Sequence, residues 1–222
     1  MILLISGGVT NKDLLSEFLL GKHGPVDAIV AADSGVEILA TLGTKPDFLV
    51  GDFDSFSGDL DALLSDESIV VKRLNPIKDD TDTESALRWI IELINNGRIS
   101  RGPIVILGAT GKRIDHLMAN ISILGIALEA GLESYIIDQY NRIRLWEGGR
   151  PLVLSKKDGY DFVSIFPIGG DVKGLSLEGF KYPLKDFDLS GFNSLGVSNE
   201  ISVQEATIAF KEGFLLVVEA VD

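Results

Sequence analysis

Two carboxylates one residue apart, Asp52 and Asp54, stand directly after a short apolar run in Pro46 to Ser55, PDFLVGDFDS. A second acidic group, Asp79, Asp80, Asp82 and Glu84 in KDDTDTE, follows another apolar run at Ile69 to Val71. Carboxylates gathered about 4 Å apart repel by roughly 4 kcal/mol at an effective dielectric near 20, so a fold that collects several must neutralise them. Magnesium suits that task, because it takes hard oxygen ligands and joins one or two carboxylates to substrate phosphates. A third stretch, GATGKRIDHLMAN at 108–120, is glycine-rich and then basic. It lacks the G-x-x-x-x-G-K-[ST] spacing of a P-loop. A loop of this kind still suits phosphate oxygens, since its amides donate and Arg113 offers a charged bidentate fork. His116 and Asn120 lie four apart, so they share one face of the helix that follows. Asp33-Ser34 ends another apolar run, where Asp33 is either a helix N-cap or a further site residue.

These groups need elements that bring them to one place. Ile2 to Ile5, Ala28 to Ala32, Phe48 to Val50, Ile69 to Val71, Ile104 to Leu107 and Tyr135 to Asp138 read as buried strands. Helical spacing falls between them, at Asn11 to Leu20, Val36 to Leu42, Gly58 to Leu64, from Thr81 onward and after Arg113. In the helix after Thr81, Leu87, Ile90, Ile91 and Ile94 form the expected core face, with Thr81 or Asp82 as cap. Strand–helix alternation implies an open α/β sheet with flanking helices, Rossmann-like, and in such sheets ligands bind beyond the carboxyl ends of the strands. The acidic groups, the Asp33 turn and the Arg113 loop all follow strands, so one sheet would carry them to one rim. Ser6-Gly7-Gly8 is a tight turn after the first strand, able to approach a phosphate or to serve as turn chemistry alone.

Near residue 140 the periodicity changes. Short alternating segments follow at Ile143 to Trp146, Pro151 to Leu154, Asp161 to Phe166, Val172 to Leu177, Ile201 to Ala209 and Phe214 to Glu219, divided by glycine turns such as Gly169-Gly170. The expectation is an α/β domain over 1–140 and an all-β sandwich over 141–222.

The 222 residues are 45% hydrophobic, which is ample for a core. A net charge of −13, from 20 basic and 33 acidic side chains, argues against nucleic acid as the main partner. Neither a transmembrane stretch nor a secretory signal is present, so no membrane partner is expected. The sequence has no cysteine, which fits a cytoplasmic protein and removes thiolate metal sites.

Taken together and in order, ADSG at 32–35, PDFLVGDFDS at 46–55, KDDTDTESAL at 78–87, GATGKRIDHLMAN at 108–120, GFKYPL at 179–184 and VSNE at 197–200 resemble the thiamine pyrophosphokinase family over nearly the whole chain. The resemblance implies a cytoplasmic homodimer with an α/β catalytic domain, a β-sandwich thiamine-binding domain and a site shared between two chains. It implies transfer of pyrophosphate from ATP to the hydroxyl of thiamine, giving thiamine diphosphate and AMP, with Mg²⁺. Carried onto this sequence, it makes Asp52, Asp54 and Asp82 the metal and phosphate-handling acids, with Asp79 beside them. Arg113 and Asp115 match the family's G-x-R-x-D-H loop, the arginine as a phosphate contact and His116 beside it. Asp33, Ser34 and Asn120 join the nucleotide side, and Ser198 and Asn199 match a thiamine-side motif. The first glycine turn departs from the pattern, with Val9-Thr10-Asn11 where a proline is expected.

Two other readings compete on residue logic. A haloacid-dehalogenase-like phosphatase also carries Asp-x-Asp after an apolar strand, with Asp52 as nucleophile and Asp54 as acid, but here the pair follows two earlier strand–helix units rather than the first strand, and Phe56 stands where a threonine is expected. A non-enzymatic thiamine-binding module would leave the acidic clusters and the Arg113 loop without a purpose.

Overall fold

Four consecutive apolar residues, Ile2–Ile5, form strand β1, and none keeps any exposed surface. A strand buried on both faces needs partners at both edges and helices above and below. β1 pairs in parallel with β2 (Ala28–Ala32) on one side and with β5 (Ile104–Leu107) on the other. β3 (Phe48–Gly51) and β4 (Val70–Arg73) extend the sheet beyond β2, and β6 (Ser134–Ile137) lies beyond β5. The order is therefore β4-β3-β2-β1-β5-β6. β4 is an edge strand that carries Lys72 and Arg73, charges that discourage pairing with another chain.

The structure is a computed structural model and describes residues 1–53, 63, 65–75, 79–111 and 113–222. The chain is mixed α/β, rich in sheet and with few helices. It divides into two compact units, Met1–Gln139 and Tyr140–Asp222. The helix expected over 58–64 and the residue Asp54 lie outside the described residues, apart from Leu63. Among the described residues, no helix is long and apolar enough to cross a membrane.

In the first unit, α1 (Lys12–Leu19) begins at Asn11, whose side chain accepts from the amides of Asp13 and Leu14. Leu15 and Phe18 of α1, with Val36 and Leu39 of α2 (Gly35–Thr41), pack with Leu3, Ile5, Ala31 and Leu107 of the strands. The alternate residues Ile2, Leu4, Ile104 and Ile106 are equally buried, so the opposite face is covered too. α3 (Asp82–Asn95) packs on β2, β3 and α4 (Ile114–Glu129), and α4 packs on β6. Thr81 caps α3, its hydroxyl accepting from the Glu84 amide at 3.2 Å. The buried face of α3 is Thr83, Ala86, Leu87, Ile90 and Leu93, with Trp89; Ile91 and Ile94 are only half-buried. The difference arises because small Ala86 and Thr83 let the helix approach the sheet along a stripe rotated from the bulkiest side chains.

The second unit is antiparallel throughout: β7 (Asn141–Glu147), β8 (Leu152–Ser155), β9 (Phe162–Glu178), β10 (Leu184–Leu189), β11 (Glu205–Ala209) and β12 (Glu212–Ala220). β12 lies between β7 and the first part of β9, whereas β11 lies between β8 and the end of β9, where β10 also pairs. The two strands expected at 161–166 and 172–177 are thus one 17-residue strand. Its glycines do not end it: Gly169 and Gly174 have φ of +76° and +66°, and pairing with β12 skips from Ile168 to Lys173. They bend the strand, so its two parts serve different neighbours. The strand expected from Ile201 starts only at Glu205, with Ile201 making an isolated bridge to Phe180. β10 was not foreseen, because Lys185 to Asp188 are all exposed and show no alternation. Trp146, Leu154, Ile165, Leu175, Ile208 and Val217 belong to one core drawn from both parts of β9.

Candidate active site

From β1 the chain runs to β2, β3 and β4 on one side and then returns to β5 on the other. At such a switch the loops after the two central strands part in opposite directions and leave a crevice. A cavity of about 520 Å³ lies there, lined by the turn after β1 (Ser6 to Val9), Asp33 and Ser34 after β2, Gly108 to Gly111 after β5, the start of α3 (Thr81 to Thr83), and Arg113, His116, Ala119 and Asn120. The floor depends on close backbone approach. The Gly8 amide donates to the Gly108 carbonyl at 2.9 Å, and a Cβ on Gly8 would stand 2.2 Å from that oxygen. Any side chain at Gly8 would part the two loops.

The acidic groups reach different places. Asp82, in the first turn of α3, and Asp33 both line the cavity. Asp33 is not the helix cap: Ser34 holds that position without a side-chain cap bond, and Asp33 has φ of +47°, its amide donating to Val50 at 2.8 Å. The left-handed turn carries Asp33 out of the helix and ties it to β3, a conformation aspartate tolerates. Asp52 is half-buried beside Phe53, and neither lines the cavity. Phe53 has φ of +64°, a strain of order 1–3 kcal/mol for a bulky residue, and its ring is buried in the core beneath the loop. Asp79 is exposed and does not line the cavity.

Arg113 stands at the cavity wall with its guanidinium on Asp115, Nε to Oδ1 at 3.1 Å and a second, shorter bond from Nη2 to Oδ2. Hydrogen bonding to Arg113 lowers the Asp115 carboxyl to about 2, and the same contact raises the arginine. Both side chains are well exposed. The depressed carboxyl favours the folded pair above the ordinary aspartate range, and this is lost only as pH falls through about 2, so the pair stays charged at neutral pH. His116 is exposed. Asn120 is buried and donates to the Ala109 carbonyl at 2.7 Å, so its amide holds the glycine loop in place.

A hydroxyl pair in the cavity goes beyond the turn role that the sequence gives Ser6. Ser6 and Thr83, both buried, join hydroxyl to hydroxyl at 2.6 Å and tie the turn after β1 to the start of α3. The only signal was position, a serine closing a fully apolar strand and a threonine inside TDTE.

In the second unit, Asn199 is buried; its Oδ1 accepts from the amides of Tyr182 and Glu200 at 3.0 Å each, and its Nδ2 donates to the Tyr182 carbonyl at 2.8 Å. Ser198 beside it has φ of +54°, and its amide donates to Ser164 Oγ at 3.0 Å.

Residues 24–136 match the family model described as "Thiamin pyrophosphokinase, catalytic domain", and residues 152–215 match "Thiamin pyrophosphokinase, vitamin B1 binding domain". The chain belongs to the thiamin pyrophosphokinase family. A curated relative named thiamine pyrophosphokinase, from Bacillus subtilis (strain 168), is 28% identical over 221 residues, which span 99% of this chain and 98% of its own. A crystal structure of thiamine pyrophosphokinase from Bacillus subtilis aligns with a TM-score of 0.86 at 27% identity, covering 100% of this chain and 99% of that one. One of thiamin pyrophosphokinase from Geobacillus thermodenitrificans aligns at 0.81 and 30% identity, covering 100% and 98%. Membership sets aside the phosphatase and the non-enzymatic module. Asp33, Asp52, Asp82 and Arg113 fall within the thiamin pyrophosphokinase catalytic segment, whereas the Ser6 to Val9 turn precedes it.

Proposed function

We propose that the cavity beyond β1, β2 and β5 is where this member of the thiamin pyrophosphokinase family binds ATP. The chain is an enzyme that transfers pyrophosphate from ATP to the hydroxyl of thiamine. In the reaction the thiamine oxygen bonds to the β-phosphorus, the bond from that phosphorus to the α-phosphate oxygen breaks, AMP leaves and the hydroxyl proton passes to a base. The observation that carries the placement is a switch-point cavity lined by carboxylates, an arginine and a helix start. The direct test incubates the purified protein with ATP, Mg²⁺ and thiamine and follows AMP and thiamine diphosphate together. Substitution of Ala119 by Trp, which fills the cavity, should remove ATP binding; unchanged binding would contradict the placement.

The donor set suits magnesium. Among the described residues no three His, Asp or Glu side chains are grouped to hold a metal alone, and magnesium bound to a nucleotide needs only one or two carboxylates beside phosphate and water. We assign Asp82, with Asp52 and with Asp54 from outside the described residues, to that role, and Asp79 to its surroundings. The ion would neutralise charge on the phosphate oxygens. One aspartate would take the thiamine proton.

Arg113 would meet phosphate oxygens, with Asp115 holding its fork at the wall and His116 beside it. Arg113→Lys keeps the charge and loses the planar fork, so kcat should fall about tenfold to a hundredfold, roughly 1.4 to 2.8 kcal/mol. A change confined to the KM for thiamine would place Arg113 on the other substrate. Asp33, Ser34 and Asn120 complete the nucleotide side, and Ser198 and Asn199 the thiamine side.

We read Met1–Gln139 as a Rossmann-like catalytic domain and Tyr140–Asp222 as a β-sandwich that takes thiamine. The switch-point strand order supports the first reading, and the bent β9 serving two sets of neighbours supports the second. We also propose a homodimer, tested by sedimentation of the purified chain, and a cytoplasmic setting, with which the lack of cysteine agrees. Neither nucleic acid nor membrane has a place in this reading.

A further inference from the structure

Ser6 and Thr83 are each more than nine-tenths buried, at 6% and 7% exposure, and their hydroxyl oxygens are 2.6 Å apart. Each hydroxyl brings one proton and two lone pairs. A single hydrogen bond between them uses one proton of the two, whichever residue donates. Among the described residues neither side chain makes another hydrogen bond. A buried donor left unmade is costly, so the second proton needs an acceptor. Both residues line the cavity, so an acceptor bound there can take that proton.

The surroundings select an anionic oxygen. Thr83 sits in the first turn of a 14-residue helix, α3, where amide groups and the helix dipole favour negative charge. Ser6 leads into Gly7 and Gly8, which line the same cavity. Asp82 and Asp33 line the same cavity, so beside the magnesium and Arg113 assigned above, a neutral hydroxyl can meet a further phosphate oxygen without adding charge. We propose that the Ser6–Thr83 hydroxyl pair donates one hydrogen bond to a phosphate oxygen of ATP, making it a nucleotide contact formed jointly by the turn after β1 and the start of α3. This rests on the reading that ATP occupies the cavity.

The test is calorimetric titration of the intact chain, with Mg²⁺, using α,β-methylene-ATP, in which the bond to be broken is replaced, and adenosine as the phosphate-free probe. Ser6→Ala combined with Thr83→Val removes both hydroxyls and leaves no orphaned partner, so the melting temperature should change little. Affinity for the analogue should fall about tenfold while affinity for adenosine stays as in the unmodified chain. Thr83→Ser, which keeps a hydroxyl, should restore affinity relative to Thr83→Val. Equal affinity for the analogue with and without the hydroxyls overturns the proposal, and so does a parallel loss for adenosine, which would mean a deformed cavity. Should the double variant not fold, Thr83→Val alone is read by the same two ligands. Ala119→Trp separates the layers: analogue binding that survives it removes ATP from the cavity altogether, whereas loss there with none in the double variant removes only the hydroxyl contact.

Discussion

Asp82→Asn should lower turnover about a thousandfold, roughly 4 kcal/mol in the barrier, with the protein still folded. The magnitude follows from what the carboxylate is assigned to do. An amide of the same shape keeps the packing and loses the charge that a metal ligand must supply, and charge stabilisation by such a metal contributes several kcal/mol to phosphoryl transfer. The effect on folding should be much smaller. Asp82 lies in the first turn of α3, where a negative charge stabilises the helix by about 0.3–1 kcal/mol. The cap itself is the Thr81 hydroxyl, which the substitution leaves in place. Neutralising one of several acids on the rim offsets part of even that small loss. Formation of AMP and thiamine diphosphate at saturating Mg²⁺, with a melting curve alongside, checks both halves. Turnover near that of the unmodified chain would take Asp82 out of the metal and phosphate machinery.

Glu219→Ala should cost about 3–5 kcal/mol of folding stability. Glu219 is 1% exposed, and its two oxygens accept from Arg142 at 2.7 and 2.6 Å and from Arg144. Arg144 is itself buried, and Arg142 also reaches Asp158 at 2.5 Å and lies over the Tyr160 ring at 4.9 Å. Removing the carboxylate takes away the anion that two guanidinium groups share largely out of water. An unpaired buried charge is far more destabilising than a formed pair is stabilising. Replacing Arg142, Arg144 and Glu219 together by apolar residues of similar volume should therefore recover much of what the single change loses. Denaturant unfolding of the intact chain measures this. A single variant within about 1 kcal/mol of the unmodified chain would show that water reaches the group and the desolvation argument fails.

What the sequence determined by itself is local or periodic. Ile2 to Ile5 and Ala28 to Ala32 are strands in the structure over those same residues, because an uninterrupted run of four or five apolar side chains between turn signals has few other ways to be buried. Thr81 or Asp82 before a 3.6-residue pattern located the start of α3 to within one residue, since capping needs only neighbouring atoms, and Thr81 is the cap. The family, too, was legible, because its short motifs keep their order along the chain.

Only the tertiary structure decided what depends on which distant residues meet. Asp33 was equally a cap or a site residue on local grounds; its bond to Val50 and its left-handed turn settle that it is not the cap. Gly169-Gly170 has the composition of a turn, yet the neighbours of β9 keep one strand running through it. Arg142 and Glu219 are 77 positions apart and become partners only when β7 and β12 pair in register. Ser6 and Thr83 are likewise 77 apart, and nothing in either neighbourhood marks a hydroxyl pair. Local propensity acts over a few residues, whereas register and the strand order around β1 are set by packing of the whole sheet, and those set which side chains face the cavity.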